Sequence, residues 1–310
     1  MRAVKPPRLR PGDLIGLVSP AGIPRPAEKI QLGARYLESR GYRVLVGKHA
    51  AREHGYLAGT DEERAEDLNA MIRDSRVKAI FASRGGYGSQ RIVSAVDFDA
   101  LRQQPKIVSG FSDITGLQLA IWRRCKLVTF SGPMPAVEFR QPVDPYTEER
   151  FWRLLVSGEC EVLNNPPELP PRTILPGTAS GVLLGGNLAL VAATLGTTYC
   201  PSFRNSILVL EDVGEEPYRV DRMLTQLRNA GVCPSGVAFG KFTLCAPKDP
   251  QAPSFTIPQL QDDFARRLNV PAIAELQYGH VPKKLTVPFG VRARLDPAVG
   301  TIQMLEPAVT

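Results

Sequence analysis

The chain has 310 residues, of which 43% are hydrophobic and 22% charged. That length suggests about two domains, and the composition excludes wholesale disorder and collagen-like repeats. The formal charge of +7 comes from scattered residues with no basic run and no aromatic interleaving, so a nucleic-acid interface is not expected and an anionic small substrate is mildly favoured.

Arg2, Lys5, Arg8 and Arg10 make the N-terminus basic, but the apolar run from Leu14 to Val18 is too short for a signal-peptide core. No stretch approaches the roughly 18 apolar residues of a spanning helix. The expectation is a cytoplasmic chain starting at Met1, with no membrane contact. Residues 13–20 read as a buried strand, 27–40 as an amphipathic helix ended by Gly41, and 42–46 as a strand. Thr60 and Glu63 make a capping box for a helix through Asp74. Residues 77–83 and 106–110 read as strands, 114–124 as a helix and 127–131 as a strand. This alternation predicts an α/β fold whose first part, residues 1–139, is a doubly wound, mostly parallel sheet.

Residues 140–177 are rich in proline and read as a linker with one short helix around 148–156. A second α/β domain is expected over 178–310. It reads as strand 181–186, helix 187–195, strand 206–212, helix 217–230, strand 236–244 and a helix near 257–268. The alternating stretch 284–296 reads as antiparallel strand. The five cysteines (Cys125, Cys160, Cys200, Cys233, Cys245) are odd in number, widely spaced and without a CxxC pair. Neither a disulfide framework nor a zinc site is expected. His49 and His54 lie near a loop and read as surface residues.

In open parallel sheets, ligands bind beyond the carboxyl ends of the strands. After the strand at 77–83 comes Arg84-Gly85-Gly86-Tyr87-Gly88. Such a turn serves either as an anion or oxyanion site or as a plain tight turn; it lacks the fingerprint of a nucleotide loop. After 106–110 comes Phe111-Ser112-Asp113, where Ser112 is either a nucleophile at a strand-to-helix corner or, like Asp113, a helix cap. Glu211 and Asp212 end another strand, and His280 follows Tyr278-Gly279. Each has a structural reading of its own. Together they supply a hydroxyl, a base to deprotonate it and a carboxylate to fix the base, in the order Ser…Glu…His.

Five segments carry a specific resemblance: PGDLIGLVSPAG (11–22), SRGGYGSQRIV (83–93), GFSDITGLQLAIW (110–122), GVLLGGNLALVAATLGT (181–197) and ILVLEDVGEEPYRVDRMLTQL (207–227). A late Gly279-His280 follows in order. The chain resembles the LD-carboxypeptidase (muramoyltetrapeptide carboxypeptidase) family of serine peptidases over nearly its whole length. The resemblance implies removal of the terminal D-Ala from murein tetrapeptides, by cleavage after an L-centre (Lys or meso-diaminopimelate). It implies a Ser-Glu-His triad, no metal or other cofactor, and a homodimer. By motif, Ser112 would be nucleophile, Glu211 acid and His280 base; Glu215 and Glu216 do not fit the acid's position. Backbone N–H groups of Asp113 and Gly86, with Gly85 beside them, would hold the oxyanion. Arg84 has a planar guanidinium that matches a carboxylate, and reads either as the partner of the D-Ala carboxylate or as a solvated surface arginine. One position departs: where many members have histidine before Gly-Pro, this chain has Ser131 in FSGPMP, a change expected to bear on the pocket and not on the triad.

Two other functions remain. A branch of the same family resembles microcin C self-immunity proteins, which cleave a peptidyl-adenylate; Phe151 and Trp152 are either partners for an adenine ring or residues of core or surface packing. A catalytically silent murein-peptide-binding module is the second. A dinucleotide enzyme would need a phosphate-binding glycine fingerprint that SPAGIP, after the first strand, does not supply.

Overall fold

The computed structural model describes residues 3–140 and 142–310; Met1, Arg2 and Gln141 lie outside the described residues. Near-continuous apolar runs make the first strands: β1 (Leu14–Val18), β2 (Arg43–Val46), β3 (Val77–Ala82), β4 (Ile107–Gly110) and β5 (Thr129–Ser131). Between them lie α1 (Glu28–Ser39), α2 (Asp61–Arg73), the short α3 (Ser89–Ile92), α4 (Phe98–Gln103) and α5 (Thr115–Cys125). In α1, Ile30, Gly33, Ala34 and Leu37 are buried, the spacing of one helical face. The Thr60–Glu63 capping box starts α2, as the sequence pattern predicts. The helices α3 and α4 are additions to the sequence reading, which left that stretch without elements.

Next come α6 (Pro145–Val156), β6 (Val162–Asn164), β7 (Arg172–Leu175), β8 (Ala179–Asn187), α7 (Leu188–Thr194), β9 (Ser206–Val213), α8 (Pro217–Asn229), β10 (Gly236–Thr243), α9 (Ile257–Leu268) and β11 (Ala272–Ala274). The chain ends with β12 (Val287–Phe289), β13 (Arg292–Asp296) and β14 (Thr301–Met304). The protein is thus α/β, with two sheets. The first has the order β12-β5-β4-β3-β1-β2, parallel except for β12. The second has the order β6-β14-β13-β8-β9-β10-β11-β7, parallel only from β8 to β11.

Three features differ from the sequence reading. The proline-rich 140–177 stretch supplies α6 and two strands of the second sheet. Its helix starts three residues early, because Asp144 caps it and Pro145 takes the first turn. The 284–296 stretch is two strands rather than one. Its first part, β12, joins the first sheet by pairing Val287 with Ser131, and its second part, β13, joins β8 in the second sheet. His49 is buried, at 6% exposure, because the turn after β2 folds onto α2. There Asp67 accepts from the His49 backbone N–H (2.9 Å) and lies 3.1 Å from Nδ1. His54 is exposed, as expected.

Candidate active site

The end of β4 runs into a 3₁₀ turn, Ser112–Ile114, and then into α5. Ser112 sits at the corner with φ +63°, the left-handed region that costs a non-glycine residue about 1–2 kcal/mol. The conformation turns the side chain off the strand end, and the first turn of α5 places its positive pole behind it. Asp113 faces inward. Its Oδ2 accepts from the Ser89 N–H (2.8 Å) and its carbonyl accepts from Ser89 Oγ (2.6 Å). Burial raises the Asp113 carboxyl above its ordinary pKa.

The glycine turn after β3 lies against this corner. A Cβ on Gly85 would stand 3.0 Å from Ser112 Cβ and 3.2 Å from the Asp113 nitrogen, so a side chain there would press on the corner. Among the described residues nothing accepts from the Gly86 N–H. Arg84 is half-buried, and its Nη1 donates to Ile23 O at 2.6 Å.

Glu211 and His280 come from the second sheet. Glu211 lies in β9 and is wholly buried; its partner strand β8 ends at Asn187, paired in register with it. His280 follows β11 in a segment with neither helix nor strand. Gly279, at φ +137°, lets the chain pass beside the acid: a Cβ there would lie 3.3 Å from Glu211 Oε2. His280 Nδ1 is 2.8 Å from Glu211 Oε2, and its Nε2 is 3.0 Å from Ser112 Oγ. A carboxylate only accepts, so Nδ1 carries the proton and Nε2 is left to accept from the serine hydroxyl. The imidazole side chain is 26% exposed and packs on the Phe111 ring at 4.8 Å. The three sequence-predicted residues therefore meet in one hydrogen-bonded line, with the hydroxyl and imidazole accessible and the acid sealed.

Two neighbours, Asn187 and Thr115, carry no signal of their own in the sequence. Asn187 caps α7, and its Nδ2 donates to both Glu211 Oε1 (3.3 Å) and Asp212 Oδ1 (2.9 Å). The Asn187 N–H donates to Thr115 Oγ1 on α5 (3.1 Å), so one residue touches both the helix after Ser112 and Glu211. Burial pushes Asp212 up to about 6. The only cue was position: an Asn at the end of a glycine-rich strand. Glu216 precedes α8 and pairs with Lys248, and Glu215 pairs with Arg219; neither bonds to Ser112 or His280. Ser131 is fully buried with its Oγ 2.8 Å from Tyr278 Oη, so it lies behind the site rather than on its surface. Phe151 and Trp152 are core residues at 0% and 6% exposure, stacked among Tyr36, Tyr42 and Phe139, and so are withdrawn as adenine partners.

Residues 15–132 match the LD-carboxypeptidase N-terminal domain and residues 180–295 the LD-carboxypeptidase C-terminal domain. A Bacillus subtilis protein named "Probable murein peptide carboxypeptidase" is 38% identical over 96% of this chain and 93% of its own. The crystal structure of a muramoyltetrapeptide carboxypeptidase from Oxalobacter formigenes aligns with a TM-score of 0.81 and 30% identity, over 94% of this chain and 97% of that one. The microcin C7 self-immunity protein MccF of Escherichia coli is 26% identical over 92% of this chain and 91% of its own. A solved MccF structure shares the fold, with a TM-score of 0.91 at 23% identity over 99% of this chain and 100% of that one.

Proposed function

The chain belongs to the LD-carboxypeptidase family of serine peptidases, and from that premise we propose that it cleaves the bond between the L-centre (Lys or meso-diaminopimelate) and the terminal D-Ala of murein tetrapeptides through a Ser112–His280–Glu211 triad. The observation that carries the reading is the unbroken line of 3.0 Å and 2.8 Å contacts from Ser112 through His280 to Glu211.

In this mechanism His280 Nε2 takes the Ser112 proton as Oγ attacks the carbonyl carbon of the L-centre. Glu211, already bonded to Nδ1–H, stabilises the imidazolium that results. The developing oxyanion rests on the N–H groups of Gly86 and Asp113, and donors of this kind contribute about 3–4 kcal/mol each. Collapse of the tetrahedral intermediate breaks the C–N bond, and His280 gives its proton to the departing D-Ala nitrogen. Water, deprotonated by His280, then releases the acyl group and restores Ser112. Arg84, fixed at one end by Ile23 O, pairs with the D-Ala carboxylate and selects for a free C-terminus. The reading places the protein in the cytoplasm as a homodimer acting in cell-wall recycling; sedimentation of the purified protein tests the dimer.

The test is incubation with L-Ala-γ-D-Glu-meso-diaminopimelate-D-Ala and assay of free D-alanine. Ser112→Ala is expected to fold normally and lose on the order of 10⁶ in kcat. Full activity in that variant would remove Ser112 from the mechanism. The MccF relative supports a second reading, hydrolysis of a peptidyl- or aminoacyl-adenylate by the same three residues. Turnover of an aminoacyl-adenylate analogue with none of the tetrapeptide would replace the first reading by the second.

A further inference from the structure

We propose that Ser131 and Tyr278 are positioning residues, whose buried hydrogen bond sets the height of His280 over Ser112. The inference rests on the triad reading above. Its starting point is an asymmetry in how His280 is held. The segment carrying it is irregular, and its backbone is tied to β10: the Lys241 N–H donates to Tyr278 O (2.8 Å) and Thr243 Oγ1 donates to His280 O (3.3 Å). Those ties fix the histidine relative to the second sheet, where Glu211 also sits. They do nothing to fix it relative to Ser112, which belongs to the first.

The Tyr278 side chain makes that connection. It is fully buried, and its hydroxyl reaches Ser131 Oγ at 2.8 Å, also fully buried, at the end of β5. Ser131 is paired with Gly110, the last residue of β4, two residues before Ser112. The link is therefore short on both sides: two residues from Tyr278 to His280, and one strand pairing plus two residues from Ser131 to Ser112. The Phe111 ring fills the space between. It meets Tyr278 edge-to-face at 5.6 Å and His280 at 4.8 Å, so a shift of the tyrosine is passed to the imidazole by contact. Lys284 adds a tie on the far side of the segment, with Nζ 2.6 Å from Glu138 Oε1 and above the Phe111 ring at 4.8 Å. That tie lies four residues past the histidine; on the near side Asn165 Oδ1 accepts from the Gln277 N–H (2.7 Å), and Tyr278 is the contact there that reaches the strand beside β4. The phenol has no proton to give in the reaction: burial first, and the Glu211 charge second, hold its pKa well above the ordinary value.

The test compares Tyr278→Phe, Ser131→Ala and the double variant, with Ser131→Thr as the conservative replacement. Each single removes one hydroxyl, the double removes both and Ser131→Thr keeps its own, with the ring and strand left in place. Two readouts are taken: the rate at which a fluorophosphonate probe labels Ser112, and kcat and KM for the tetrapeptide. Displacing a reacting group by about 1 Å costs on the order of 100-fold, so a partial displacement is expected to lower labelling and kcat by about 10–100-fold with KM unchanged. The double variant is expected to be no slower than the slower single, because both remove the same bond. Ser131→Thr is expected to stay within about 3-fold of wild type, since it keeps the hydroxyl. Wild-type labelling rates in both single variants would overturn the proposal. So would losses that multiply in the double, or losses that follow melting temperature rather than the hydroxyl. Absence of labelling at Ser112 in the wild-type protein would instead overturn the triad reading, and the positioning role with it.

Discussion

At the scale of single residues, the proposed mechanism separates groups that react from groups that hold them. Arg84 has one N–H committed to Ile23 O and a guanidinium with five donors. If the rest of the fork meets the substrate carboxylate, Arg84→Ala is expected to raise KM for the tetrapeptide by about 10–100-fold with little change in kcat, the range of a charge-assisted hydrogen bond. An unchanged KM would assign Arg84 to the wall alone. Asp212 offers a test of stability. Its carboxyl is buried beside Glu211 and raised from an ordinary 3.8 to about 6. A raised carboxyl holds its proton more tightly in the folded protein, so this contribution is full below pH 4 and is lost as the pH climbs through 6. Two pKa units correspond to about 3 kcal/mol at most. Urea unfolding of wild type and Asp212→Asn from pH 4 to 7 is expected to show the wild type losing ground to the variant. Parallel profiles would refute that direction.

At the scale of elements, the strand-to-helix turns do the positioning. The fully buried Arg64 on α2 donates from Nη1 to Pro20 O (2.6 Å) and Gly88 O (2.8 Å), locking the turns after β1 and β3 together. With the glycine turn fixed there and Ser112 on its other side, Gly85→Ala has nowhere to relax. The variant is expected to lose at least 10-fold in kcat through displacement of the serine while keeping its secondary structure by circular dichroism; unchanged kcat would show the corner to be pliable. Turns of this kind were legible in the sequence because glycine and serine follow apolar runs directly. So were the strands β1 to β5 and the long helices, where period and caps agree. The short edge strands β6 and β7 were not, because prolines beside them are also the mark of loops, and sheet edges tolerate proline. The split of 284–296 was not legible either: alternation marks a strand without saying which sheet receives it. Ser131 was visible as a residue but not as a partner of Tyr278, because nothing local joins positions 147 apart.

At the scale of the whole molecule, neither core belongs to one half of the chain. The larger apolar cluster joins Ile15, Phe81 and Phe130 of the first sheet to Leu183, Val209 and Ile273 of the second. The smaller one draws Leu119 and Trp122 of α5 in among Leu184, Leu188 and Leu208. The two tryptophans report on different cores, Trp152 on the larger and Trp122 on the smaller. Within each single-tryptophan variant, Trp122→Phe and Trp152→Phe, tryptophan fluorescence and far-ultraviolet circular dichroism are expected to give coincident denaturation midpoints, as one cooperative unit requires. Midpoints that separate between the two probes within one variant would mean that the halves unfold independently. The strand β12 carries this interdependence into synthesis. Residues 287–289 complete a sheet whose other strands were finished by residue 131. Until the ribosome has passed that point, β5 stands as an open edge able to pair with another chain. The nascent protein holds Ser112 long before His280, and its first sheet closes only after the histidine has been made.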